Sequence, residues 1–68
     1  MKQISGRELA RVLERNGWSL LRINGSHHIN GKSGERTRLS VPIHGSVPLK
    51  QGLLNSLLKA AGLTPDGS

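Results

Sequence analysis

The chain contains no cysteine, no tyrosine and no phenylalanine, and only four of its 68 residues are acidic. Each shortage excludes a chemistry. Without cysteine there are no disulfides, thiolate zinc sites or thiol nucleophiles. Four scattered carboxylates, Glu8, Glu14, Glu35 and Asp66, supply neither the paired acids of glycoside hydrolysis nor the ligands of a two-metal site. Trp18 is the one aromatic residue, so a base-stacking platform is disfavoured and Trp18 reads as core. No apolar run approaches the roughly 18 to 20 residues of a membrane span. The opening MKQISGREL lacks the apolar stretch of a secretory signal. The expectation is a cytoplasmic protein with no membrane partner. Bases, in contrast, are plentiful. Ten Lys/Arg give a formal net charge of +6. Such an excess points first to a polyanion, most often nucleic acid, with solubility as the plainer alternative. The length allows one small domain, expected to span 1–68 with an ordered core at about 3–63.

Local patterns predict the elements. Ser5 followed by Glu8 is a capping box, flanked by Ile4 and Leu9 as a hydrophobic staple. Leu9, Val12 and Leu13 share one helical face, and Arg7, Arg11, Glu14 and Arg15 face away. A helix is predicted over about 6–16, with Gly17 in the left-handed position that ends it. Gly6 at its first position weakens it slightly. WSLLRIN at 18–24 reads as a strand, with Trp18, Leu20 and Arg22 on one face and Ser19, Leu21 and Ile23 on the other. Apolar residues on both faces suggest a central strand. Gly25-Ser26 is a turn, 27–30 a short strand and 31–34 a polar loop. RTRLSVP at 36–42 alternates Thr37, Leu39 and Val41 inward against Arg36, Arg38 and Ser40 outward, a half-buried strand with a basic outer face. Pro42 ends it.

A second helix is predicted over 49–61, with Leu53, Leu54, Leu57, Leu58 and Ala61 as its apolar stripe. Gly52 inside it marks either a cost or a close backbone approach. Gly62 closes this helix. Thr64-Pro65-Asp66 is a helix start signal without a helix, and Gly67-Ser68 are given no weight. The order α-β-β-β-α, an α+β class, is that of the double-stranded-RNA-binding domain. Two helices would cover one face of a three-stranded antiparallel sheet and leave the other face open.

Among titratable groups the histidines stand out: His27, His28 and His44. Histidine both takes and gives a proton near neutral pH. Adjacent strand residues point to opposite faces, so one of His27 and His28 faces the helices and the other faces out. Diverging side chains cannot share one metal ion, and carboxylate partners are lacking. An outward histidine on a basic face suits RNA, whose 2′-hydroxyl is a nucleophile already present in the substrate. The protein then supplies a proton acceptor and positive charge for the transition state, and needs no metal or other cofactor.

The segments SGREL at 5–9, NGW at 16–18, GSHH at 25–28, VPIH at 41–44 and KQGLLNSLLKAAGL at 50–63 together resemble the HicA family, the small mRNA-interferase toxins of bacterial HicAB toxin–antitoxin modules. The resemblance covers roughly residues 3–63. It implies a double-stranded-RNA-binding-like fold and metal-independent cleavage of mRNA. It also implies a HicB-like antitoxin partner that covers the active face. The family's active histidine maps onto His27, and Gly25 and Ser26 match the same motif. Asn30 stands where an aromatic is common in the family. Arg22, Arg36 and Arg38 are expected to engage phosphates, with Lys32 and Lys2 as helpers. The alternatives are a non-catalytic RNA-binding module of the same fold, and a protein-interaction module whose charge meets an acidic partner.

Overall fold

The computed structural model describes residues 3–63. Its elements are α1 (Gly6–Arg15), β1 (Trp18–Asn24), β2 (His27–Lys32), β3 (Leu39–Pro42) and α2 (Gln51–Ala60). The sheet is antiparallel throughout, in the order β1-β2-β3. The α+β class and element order are those expected.

Helix α1 begins as the capping box dictates. Glu8 N donates to Ser5 Oγ at 3.2 Å, and Ser5 N donates to Glu8 Oε1 at 3.4 Å. Leu9 and Leu13 are fully buried, Val12 is half-buried, and the arginines of this helix are exposed. Gly17 takes φ +91°, as a left-handed helix end requires. Gly6 proves to be a packing residue. A Cβ there would collide with the Pro42 carbonyl oxygen and lie 3.1 Å from Ile43 Cγ1. The small loss in helix propensity lets α1 sit directly on the end of β3.

Strand β1 departs from expectation in two ways. It is an edge strand, and β2 is central. It also carries a bulge: Leu20 opposes Asn30 and Arg22 opposes Ile29, which leaves Leu21 as the extra residue. A bulge resets the alternation of side chains. Arg22 therefore leaves the Trp18–Leu20 face for the opposite one, and Ile23 returns to it, opposite His28. The second strand continues to Lys32 rather than stopping at Asn30, and β3 starts at Leu39 rather than Arg36. The intervening backbone is satisfied locally. Glu35 N donates to Lys32 O at 3.0 Å, Thr37 N to Glu35 Oε1 at 3.2 Å, and Arg38 Nη1 to Glu35 O at 2.9 Å. These bonds compete with the ladder for residues 35–38.

Helix α2 starts at Gln51, not Leu49. Leu49 N donates to Ile4 O at 2.8 Å, Gln3 Nε2 donates to Leu49 O at 3.1 Å, and Ser5 bridges to Pro48. Residues 48 and 49 are thus held by the chain entering α1. The helix closes in a Schellman motif, with Leu63 N to Leu58 O at 2.8 Å, Gly62 N to Lys59 O at 3.1 Å and Gly62 at φ +80°. Of the predicted stripe, Leu54, Leu57 and Leu58 are buried and Ala61 is half-buried, but Leu53 is exposed. The core joins both helices to one sheet face through Leu9, Leu13, Trp18, Leu39, Val41, Leu49, Leu54, Leu57 and Leu58. Trp18 is buried as expected, and its Nε1 finds no hydrogen-bond partner among the described residues.

Nothing lies within 4 Å of a Cβ added at Gly52, so that glycine marks no close approach. Gly52→Ala is expected to raise unfolding free energy by about 0.4–1 kcal/mol. Gly6→Ala is expected to lower it by about 1–3 kcal/mol through overpacking against Pro42 and Ile43. Urea unfolding monitored by circular dichroism checks both, and the opposite signs distinguish the two glycines.

Candidate functional site

The sheet face away from the helices is open, and the register states which side chains it offers. Partners across an antiparallel pair share a face. Val41 is fully buried, so its partner His28 lies on the helix side, where it is half-buried. His27 is one residue earlier, hence on the open face, between Asn24 and Pro42, and exposed. The two histidines diverge as the sequence implies.

The turn before His27 is tied down on one side. Gly25 takes φ +64°, and a Cβ there would meet nothing within 4 Å, so its role is conformational. Ser26 offers its carbonyl to Ile43 N at 2.8 Å, which continues the pairing of β2 with the chain one step past β3. This places His27 and Pro42 at a pair without ladder bonds, where the missing N–H of proline costs nothing and side chains come closest.

Arg22 reaches this face because of the bulge. Its partner Ile29 is two residues from His27 on the same strand face, so Arg22 is a diagonal neighbour of His27, about 7–8 Å away. The Arg22 side chain makes no hydrogen bond or ion pair among the described residues.

Farther along the same face, Ser19, Leu21, Gly31, Lys32, Ser33 and Arg38 line a shallow hollow. It lies four residues from His27 along β2, roughly 13 Å at about 3.3 Å per residue. Gly31 makes it possible. A Cβ there would come within 2.6 Å of Leu21 Cδ1 and 3.3 Å of Arg38 Cδ and Nε. Arg38 is anchored at one nitrogen: Nη1 donates to Glu35 O at 2.9 Å and to Arg36 O at 3.3 Å. Its Nε and Nη2 donors are left without a partner among the described residues, and they form the fork that takes an anion in bidentate fashion.

The remaining basic residues distribute differently from expectation. Lys32 borders the hollow, but a Cβ on Gly17 would sit 3.2 Å from Lys32 Cε. Its stem thus runs past the C-terminal end of α1, where a cation is favoured by the helix dipole. Arg36 is exposed on the loop before β3, not on a strand face. Lys2 lies outside the described residues, as do Thr64 to Ser68. Arg7, Arg11 and Arg15 are exposed on α1. The expected basic outer face therefore reduces to Arg22 and Arg38, with Lys32 and Arg36 at its rim. Asn30 is 2% exposed, opposite Leu20 and Leu39, and its Nδ2 donates to His28 O at 3.1 Å. It belongs to the core side and offers nothing to a ligand on the open face.

Among the described residues, no three of the His, Asp and Glu side chains gather as metal ligands. No helix among the described residues is long and apolar enough to cross a membrane. The Leu21–Gly31 hollow escaped the sequence reading. Its one signal there is the adjacent pair Leu20-Leu21, which strict alternation places on opposite faces without a reason.

A search of curated proteins finds no match. The family model described as HicA toxin of bacterial toxin–antitoxin matches residues 6–63, from the first residue of α1 to the last residue of the Schellman motif. With most of its length matched and the expected strand and helix order in place, the chain belongs to the HicA toxin family.

Proposed function

We propose that this toxin is an endoribonuclease that cleaves mRNA in the cytoplasm, with His27 as general acid/base and no metal ion in the reaction. The observation that carries it is the placement of one exposed histidine on an open sheet face, beside Arg22 and on the same face as the Arg38 fork. No described residue hydrogen-bonds the His27 side chain, which is left to reach a ribose 2′-hydroxyl. Loss of the hydroxyl proton lets the 2′-oxygen attack the adjacent phosphorus, and the P–O5′ bond breaks. The products are a 2′,3′-cyclic phosphate and a 5′-hydroxyl. Arg22 is close enough to neutralise charge growing on the phosphoryl oxygens. Arg38 grips a phosphate farther along the strand, with Lys32 and Arg36 adding charge at the rim. Gly25 and Ser26 hold His27 at the turn.

A toxin of this family implies an antitoxin partner. In this proposal the antitoxin is HicB-like and covers the open face. Binding only the folded toxin, it also stabilises the toxin by mass action. The second reading is a non-catalytic RNA-binding module. The α-β-β-β-α order shared with the double-stranded-RNA-binding domain and the unpaired Arg22 favour it, since neither needs a histidine.

His27→Ala is expected to abolish growth arrest and to slow RNA cleavage about 10²–10⁴-fold while leaving RNA binding within a few-fold. Undiminished cleavage overturns the role of His27, and binding without cleavage by the unaltered protein favours the second reading. Because no step is assigned to a metal, cleavage in excess EDTA is expected to match cleavage without it.

Arg38→Ala is expected to weaken RNA binding and to reduce the slope of log K against log salt by about 0.7, one phosphate contact on a single strand. A salt titration of fluorescence anisotropy measures it. An unchanged slope removes Arg38 from the interface.

A further inference from the structure

Cleavage by the route above moves two protons. One leaves the 2′-hydroxyl, and another must reach the 5′-oxygen as the P–O5′ bond breaks. His27 can perform one of these transfers in a single turnover step. We infer that His44 performs the other, as the general acid that protonates the leaving 5′-oxygen. This rests on the endoribonuclease proposal and supplies the second group that proposal leaves unassigned.

The placement follows from the register. His27 pairs with Pro42, and the bond from Ile43 N to Ser26 O at 2.8 Å carries the pairing one step further. Alternation also continues through this segment. Val41 is fully buried, Pro42 is its outward neighbour, Ile43 packs against the core, and His44 is exposed. His44 therefore lies on the open face two residues past the partner of His27. That makes it a diagonal neighbour, about 7–8 Å away. Arg22 is the diagonal neighbour of His27 on the other side, across β1.

This spacing suits an in-line displacement. The attacking and leaving oxygens sit on opposite sides of phosphorus, and each imidazole reaches its own oxygen over a hydrogen bond of about 2.6–3.2 Å. At that backbone spacing, two imidazoles on one face can approach a phosphate from opposite sides, and Arg22 is left for the equatorial oxygens. The segment is also fixed in position. Val47 N donates to His44 O at 3.1 Å, and Gly45 at φ +59° turns the chain away directly after His44. The His44 side chain makes no hydrogen bond or ion pair among the described residues, so it is free to donate. The proton balance closes: His27 gains the proton of the 2′-hydroxyl, His44 gives one to the 5′-oxygen, the 2′-O–P bond forms and the P–O5′ bond breaks. Both histidines then return to their starting states by exchange with water.

A leaving-group experiment separates the acid from any other role. The wild type is first used to identify an RNA oligonucleotide that it cuts. The same oligonucleotide is then made with sulfur in place of the 5′-oxygen at that position, because a thiolate departs without needing a proton. His44→Ala is expected to slow cleavage of the ordinary RNA about 10²–10⁴-fold. On the sulfur-substituted RNA it is expected to stay within a few-fold of the wild type. His27→Ala is expected to slow both. Wild-type rates for His44→Ala on ordinary RNA overturn the inference, as does equal slowing on both substrates, which is the signature of a structural or binding role. Rescue of His27→Ala by sulfur while His44→Ala stays slow also overturns it, because the two roles are then reversed. If the wild type cuts no RNA, the endoribonuclease proposal itself fails, a result distinct from each of these. Circular dichroism of both variants checks that the fold is kept.

Discussion

The pairing of β2 with β3 holds the core and the open face in one piece. On the helix side it buries Leu39 and Val41 against both helices. On the open side it carries His27 opposite Pro42. At its far end, Ile43 N reaches Ser26 O and clamps the turn that precedes His27. Helix α1 stands on the same end, since Gly6 lies directly against the Pro42 carbonyl. Slippage of this ladder by one residue would turn over the strand that shifts, taking Leu39 and Val41 out of the core if β3 moves, or His27 off the open side if β2 moves. Burial of apolar side chains thus specifies the position of the histidine, although the histidine contributes little to that burial.

The second structuring element is the bulge at Leu21. It sits on an edge strand, where a local increase in twist is common. Its effect on the open face is specific. Arg22 is redirected to the side of His27, and Leu21 closes over Gly31 to form one wall of the hollow that holds Arg38. Two basic side chains are positioned by devices that carry no charge themselves: an extra residue in one case, and a missing Cβ in the other. Among the described residues the other bases are spread over α1, the end of β2, the loop before β3, and α2 with its N-cap. A net charge of +6 therefore overstates how cationic the open face is.

Much of the fold could be read directly from the residues, for reasons that are local. A capping box satisfies its own helix start, and a glycine ends a helix by accepting positive φ. Alternation of Leu39, Ser40 and Val41 needs only one covered face. The errors have two causes: partners distant in the chain, and local bonds that compete with the ladder. Leu49 looks helical, but the Ile4 carbonyl takes its N–H. Arg36 to Arg38 look extended, but their loop satisfies itself first. Asn30 is polar, yet it is buried between Leu20 and Leu39 on the helix side of the sheet. Gly6 and Gly52 look alike as helix glycines, yet only one of them touches another element.

The sequence by itself determined the class of elements, their order, most of the buried leucine stripes and the divergence of His27 from His28. All of these follow from periodicity within one segment. It also marked which residue types are scarce enough to exclude thiol and paired-carboxylate chemistry. Tertiary structure decided what shares a face with His27. The sheet order made β1 an edge, the bulge brought Arg22 around, Gly31 seated Arg38, and the continued pairing past Pro42 put His44 diagonally opposite His27. Those neighbours come from four separate stretches of the chain. Their proximity is set by interstrand register, which hydrogen bonds and core packing choose together and no single stretch encodes.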